Sequence, residues 1–327
     1  MSILYQIRHV TRHRYETPVS ESVMEVRKCP LSGGQQRCLN FSLSVTPAAT
    51  VFSYEEPIGN TVHHFDLPQP HRQMSVTAEA MVEIKEFAAL PHSLPMECWQ
   101  EVKAETSGFE FLDYLLPSPL IRPSRLLGEF YEQVGPRADE DPLTFLNRLQ
   151  NEIATRFKYV PLSTQVDSPI DIALDTKEGV CQDFAHIMVG LARLAEIPAR
   201  YVSGYLHHRA DLSDRSRREA SHAWAEAWLP RLGWVGFDPT NNILAQERHI
   251  RTSLGRDYRD VPPTRGVYRG EPASELSVAV QVHLADTPNV QDEFRRMDES
   301  DLPTEASFKM EVEQLAAQQA AQQAAQQ

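Results

Sequence analysis

Cysteine is scarce in this chain: four residues in 327, far below the density of a disulfide-stapled secreted domain. Cys29 and Cys38 can face each other across the turn between them, but reduced thiols are the expectation. Long apolar runs are missing too. Nothing approaches the roughly 18 residues of a membrane-spanning helix. The opening stretch, MSILYQIRHVTRHRY, sets charges and histidines where the apolar core of a signal peptide belongs. Cytoplasmic residence is therefore expected. Basic charge is in deficit, with 32 Lys and Arg against 45 Asp and Glu, a net −13. Sequence-independent nucleic-acid binding needs clustered cations to neutralise phosphates, and an anionic membrane surface attracts the same clusters. Neither partner is expected. What is present is ordinary globular material, 41% hydrophobic and 24% charged, with length enough for two domains.

Residues 1–90 read as all-β. Strand-like segments recur at Ser2–His9, Ser22–Arg27, Arg37–Thr46, Thr61–Phe65 and Ser75–Lys85, separated by Pro and Gly turns. An antiparallel, sandwich-like domain follows. Residues 91–135 form a proline-rich connector, with a short helix expected after Ser124. Residues 136–285 change character. Asp141-Pro142 is an N-cap followed by proline at the first helical position. A second helix starts near Gly179, with Phe184, Ile187, Met188, Leu191 and Ala195 on one face. The period then shifts to two over Ala199–Leu206, Ala220–Leu229, Trp234–Asp238 and Leu276–Leu284. Helices followed by antiparallel strands make this second domain α+β. Residues 286–327 end in Ala/Gln repeats with no apolar stripe, and a disordered or partly helical tail is expected.

Three segments carry reactive side chains at element boundaries. GVCQDFAH puts Cys181 in the first turn of the amphipathic helix. A helix N-terminus stabilises a thiolate, and its unpaired N–H groups can face a developing oxyanion. SHAWAEAWL carries His222, and GWVGFDPTNN ends a strand at Asp238. The short connection through Pro230–Gly233 makes those strands neighbours. A thiol nucleophile needs a base, and the base needs a group to fix its tautomer. Cys181, His222 and Asp238 are suitable types in a suitable order. Setting the histidine beside the aspartate takes a favourable register or a bulge, which stays open at this stage.

These segments, with IPARYVSGYL between them and GRDYRDVPPTRGVYRG after them, resemble the bacterial transglutaminase-like superfamily. Its catalytic core is related to papain-like cysteine proteases. YQIRHVTRHRYETPV, PIGNTVHHF and PQPH are similar to the β-rich domain preceding that core in many bacterial members. The resemblance spans roughly residues 2–284. It implies a papain-like α+β catalytic domain and a triad of Cys181 as nucleophile, His222 as base and later acid, and Asp238 as the orienting carboxylate. The implied chemistry is attack on an amide carbonyl through a thioester, ending in hydrolysis or, with an amine acceptor, transamidation. No D-x-D-x-D-G loop occurs, which argues against calcium gating of the animal transglutaminase kind.

Singly, each of these residues has a plainer reading: a buried thiol, a satisfied strand histidine, a strand-ending turn. Only the set argues for catalysis. Asp183 and His186 suggest a metal site with Cys181 and His207-His208, but C-x₄-H matches no usual zinc pattern, so no metal or cofactor is expected. Trp224 shares a strand face with His222 and is the tryptophan expected to shape the cleft. Gln165 is the candidate second oxyanion donor beside the Cys181 N–H. The arginine-bearing loop His207–Glu219 is expected to be solvated. The resulting expectation is a thiol-dependent amidase or peptidase acting on a peptide or protein amide. A cross-linking transglutaminase and a non-catalytic peptide-binding module are the alternatives.

Overall fold

The computed structural model describes residues 2–209, 211–212, 214–216, 220–270 and 273–285. The Ala/Gln tail lies outside the described residues. An antiparallel sheet curled into a half-barrel is followed by a helix-and-sheet domain, the α+β architecture expected from sequence.

The half-barrel is organised by one strand, β1 (Ser2–Val26), where sequence reading saw separate short pieces. With β2 (Gln36–Thr46), β3 (Phe52–Glu55), β4 (Thr61–Leu67) and β5 (His71–Lys85) it forms the order β2-β5-β1-β4-β3. The first half of β1 pairs with β5, and its second half pairs with β4. The register breaks between Arg14 and Val19, where Pro18 has no N–H to give the ladder. That break lets one strand serve two parts of a curled sheet.

The proline-rich connector holds α1 (Cys98–Glu105) and α2 (Phe109–Leu115), neither expected, and α3 (Arg125–Val134), which starts as expected with Ser124 capping Leu127 N–H at 3.1 Å. Next come α4 (Pro142–Arg156), β6 (Lys158–Tyr159), α5 (Ile170–Thr176), β7 (Glu178–Gly179) and α6 (Cys181–Leu194). Asp141 caps α4 by accepting from Leu143 N–H at 3.0 Å. The second sheet comprises β8 (Ala199–Leu206), β9 (His222–Leu229), β10 (Gly233–Asp238), β11 (Ile243–Leu244) and β12 (His249–Gly255), in the order β11-β10-β9-β8-β12. One face packs on α6: Ala225, Ala227, Leu229 and Phe237 join Phe184, Ile187 and Leu191 in the largest apolar core.

Two strands after β12 return to the first sheet. β13 (Thr264–Arg269) and β14 (Ser274–Ala285) leave the second domain and pair with β1. β14 runs antiparallel to β1 from Leu4↔Ala285 to Tyr15↔Ser274. The alternation at Leu276–Leu284 identifies a strand correctly, but alternation carries no information about the pairing partner.

The half-barrel covers the other face of the second sheet. Tyr5, Ile7, Val82 and Ile84 share a core with Tyr205 of β8 and Ile250 of β12. Beside it, buried Lys28 donates from Nζ to Thr11 Oγ1 at 2.5 Å, Thr11 meets His9 Nε2 at 3.2 Å, and His9 Nδ1 meets the Tyr205 hydroxyl at 3.0 Å. The free edge of β12 is closed by two side-chain amides acting as short strand surrogates. Gln36 donates to Arg251 O and accepts from Arg251 N–H, both at 2.8 Å. Asn60 does the same for Leu254, again at 2.8 Å in each direction. An edge strand presents unpaired N–H and C=O groups, and here they are satisfied from the other domain.

Asn60→Leu removes both bonds and strands a buried N–H and C=O of Leu254, each costing about 1–3 kcal/mol. Urea unfolding of this variant is expected to show a loss of about 2–6 kcal/mol. A loss under ~0.5 kcal/mol would mean that the clamp contributes nothing.

Candidate active site

Cys181 is the first residue of α6 and is partly exposed. Asp183, in the same turn, is buried and accepts from Val180 N–H at 2.8 Å and from the Thr164 hydroxyl at 2.6 Å. Burial pushes its carboxyl above the usual range against the pull of those hydrogen bonds. Gly179 lies under this turn: a Cβ there would come within 3.1 Å of Asp183 Oδ2 and of the Phe184 ring. Gln182 donates to Val166 O at 3.0 Å. Through Thr164 and Gln182 the loop following β6 is tied to the turn that carries the thiol.

The strand register answers the question that sequence left open. Gly233 pairs with Leu229 across a three-residue turn, Val235 with Ala227 and Phe237 with Ala225. Continuing that register sets Asp238 opposite Trp224, on the face that also carries His222, two residues away. Diagonal neighbours in a sheet are within reach of long side chains, and no bulge is needed. His222 Nε2 donates to Asp238 Oδ2 at 2.7 Å, with both groups buried. Burial works against the imidazolium, but Asp238 and then Cys181 overcome it and push the His222 pKa up to about 10. Asp238 is held far below the usual carboxylate range: burial raises it, and His222 and His249 outweigh that.

The Asp238 carboxylate accepts from five donors. Thr240 N–H (3.0 Å) and Asn241 N–H (3.2 Å) reach Oδ1, the Asx-turn pattern favoured by Asp-Pro-Thr-Asn. Oδ2 accepts from His222, from Asn241 Nδ2 at 2.8 Å and from His249 Nε2 at 3.1 Å. Asn241 Oδ1 in turn accepts from Arg215 N–H at 2.7 Å. Asn241 and His249 were missed by sequence reading. The D-P-x-N turn was a usable signal for the first, whereas nothing local marks His249, which arrives from β12.

Trp224 is on the expected face but, contrary to expectation, is buried, at 1% exposure. It packs edge-on against His249 at 5.0 Å and alongside His222 at 6.1 Å. Its indole lies over Gly204, where a Cβ would approach it to 2.7 Å and the Ile250 carbonyl oxygen to 2.1 Å. It therefore supports the histidines from behind, on the wall of a cavity of about 400 Å³ between the two domains that is also lined by Glu226, Arg251 and Gln36. Gln165 is exposed, with its backbone N–H donating to Ser168 Oγ at 2.9 Å. Arg215 is not solvated as expected of its loop: its guanidinium donates to Ala154 O and Phe157 O, both at 2.8 Å. Arg217 and Arg218 lie outside the described residues.

His186 accepts from Tyr258 N–H at 3.1 Å and His208 pairs with Asp214 at 3.0 Å, so neither joins Cys181 in a ligand set. His222, Asp238 and His249 do bring ligand-type atoms within 4.8 Å of one another. Both histidines, however, direct Nε2 at the same carboxylate oxygen. Each must then carry its proton on Nε2, whereas a metal ligand needs that nitrogen bare.

The comparisons with known proteins bear on the family and the fold. The family model of the transglutaminase-like superfamily matches residues 132–239, and that of the bacterial transglutaminase-like N-terminal region matches residues 5–83. An uncharacterized protein of Mycobacterium leprae is 32% identical over 275 residues, covering 84% of this chain and 96% of its own. A protein-glutamine gamma-glutamyltransferase of Pseudomonas aeruginosa is 33% identical over 129 residues, 34% of this chain and 18% of that protein. The crystal structure of "a Putative Cysteine Protease from Cytophaga hutchinsonii" superimposes with a TM-score of 0.69 at 20% identity, covering 90% of this chain and 94% of that one. The chain belongs to the bacterial transglutaminase-like superfamily. Among the described residues, no helix is long and apolar enough to cross a membrane.

The raised His222 pKa has a signed consequence. A histidine titrating near 6.5 when unfolded and near 10 when folded adds stability that is complete below about 6.5 and lost as pH rises through about 10. Thermal unfolding of the wild type and Asp238→Asn should therefore differ most near pH 6, and the gap should narrow by pH 10.5. A gap constant across that window would remove the imidazolium–carboxylate pair.

Proposed function

We propose that this chain is a thiol-dependent amide-bond hydrolase acting through Cys181, His222 and Asp238. The observation that carries this reading is the buried His222–Asp238 pair at 2.7 Å, whose ring also feels the Cys181 sulfur on the first turn of α6. The Cys181 thiolate attacks the amide carbonyl, and the Cys181 N–H faces the developing oxyanion. His222 passes its proton to the leaving amine as the C–N bond breaks, and a thioester remains. Water, deprotonated by His222, then attacks the thioester and releases the acid and the free thiol. Asp238 holds the imidazole in one tautomer and stabilises its charged form. Gln165 is kept as the candidate second oxyanion donor on the loop tied to α6.

Hydrolysis is favoured over transamidation because the thiol is partly exposed and water has access to it. Transfer to an amine needs a site that keeps water out. The gamma-glutamyltransferase relative supports the second reading, in which an amine takes the acyl group. The substrate in either case is a peptide or protein amide. The scarcity of cysteine, four in 327 residues, suits the reducing cytoplasm.

Two measurements test these readings. Iodoacetamide alkylation of Cys181 at pH 7, followed by peptide mapping, is expected to slow at least ~tenfold in His222→Ala. Equal rates would sink the triad. With a glutamine-containing protein substrate and a labelled primary amine, ammonia release without incorporated label marks a hydrolase, and incorporated label marks a transglutaminase.

A further inference from the structure

We propose that His249 is a positioning residue for the reaction above, holding the Asp238 carboxylate in the orientation His222 requires, and that the N-terminal domain sets it there through β12. The inference rests on the triad reading but concerns a residue outside it.

The geometry is specific. His249 Nε2 donates to the oxygen that receives His222, at 3.1 Å against 2.7 Å. Both histidines are buried, and Trp224 packs against both rings. A carboxylate can rotate about χ2, and a single bond to His222 would leave that rotation open. Asn241 holds one side of the group through the Asx turn. His249 reaches it from β12, beyond β9 and β8 in the sheet order, so the two restraints do not come from one turn.

The charges around His249 keep it a neutral donor. Asp238 faces it from β10 and His222 from β9, Arg248 immediately precedes it in the turn before β12, and the Glu226–Arg251 pair occupies the same sheet face. Burial lowers its pKa, and the neighbouring His222 and Arg248 charges add to that against the pull of Asp238. One oxygen thus serves two unlike histidines. His222 carries the positive charge, while His249 orients without competing for the proton.

Its position depends on the other domain. β12 is an edge strand, paired on one side with β8 from His249↔Leu206 to Gly255↔Tyr201. Its outer edge is held by the Gln36 and Asn60 amides at Arg251 and Leu254. Arg251 is two residues from His249, so the clamp fixes the strand beside the ring. This gives the half-barrel a role in the site.

The test uses the full chain, labelled with ¹⁵N-histidine, and two variants. Wild type should show, among its downfield imidazole N–H protons, one from each of the histidines that face Asp238. His249→Gln, whose side-chain amide can still donate, should lose one of them and alkylate at Cys181 within ~threefold of wild type. His249→Phe, which fills the space without a donor, should alkylate ~tenfold or more slowly at pH 7 and shift the pH profile. Thermal unfolding checks that each is folded at the assay temperature. A folded His249→Phe with wild-type kinetics, or a His249→Gln as slow as the phenylalanine variant, overturns the proposal. Should His249→Phe not fold, the wild-type spectrum and His249→Gln decide: a downfield spectrum that His249→Gln leaves unchanged overturns it. Normal alkylation in His222→Ala removes the triad reading and this proposal together, whereas a failure confined to the His249 variants removes this proposal alone.

Discussion

The arrangement depends on a buried carboxylate. Asp238 has no solvent exposure, and an unpaired charge in that position would be prohibitive. Two backbone N–H groups, an amide and two imidazoles satisfy it. Each donor comes with a structural requirement: the Asx turn after β10, the register of β9 on β10, and the placement of β12 beyond β8. Break any of these and the charge loses a partner. The five donors therefore couple local turn chemistry, sheet pairing and domain docking to one pair of oxygens.

The N-terminal half-barrel participates in that coupling. It does not sit on a linker beside the second domain; it supplies the back wall of the second sheet and closes that sheet's free edge. The shared core around Tyr5, Ile7, Tyr205 and Ile250 and the Lys28–Thr11–His9–Tyr205 chain cross the same boundary. β13 and β14 then return to β1, so the chain enters and leaves through one sheet. A topology of this kind resists separation, because neither the half-barrel nor β12 has all its hydrogen bonds without the other.

Much was legible in the residues themselves. Asp141-Pro142 announced α4, the 3.6-residue stripe after Gly179 announced α6, and the alternation at Ala199–Leu206 matched β8 to the residue. These are local signals, in which neighbouring side chains report the periodicity of their own backbone. Cys181, His222 and Asp238 were legible for a related reason: each stands at a helix start or a strand end marked by its neighbours. Trp224 was read on the right face but given the wrong surroundings, because alternation says which side of a sheet a residue takes and not what covers that side. His249 was illegible, since its partners are 27 and 11 positions away in sequence and its own strand is short.

By itself, then, the sequence determined the chemistry available and the local elements that present it: a thiol on a helix N-terminus, an imidazole and a carboxylate on adjacent strands, and an all-β segment ahead of them. Tertiary structure decided what those elements meet. The register that puts Asp238 diagonal to His222, the return of β14 to β1, the burial of Trp224 and the arrival of His249 all follow from pairing between distant segments. Pairing of that sort is chosen by which hydrogen bonds and apolar faces can be satisfied together, and no single stretch of chain carries that information.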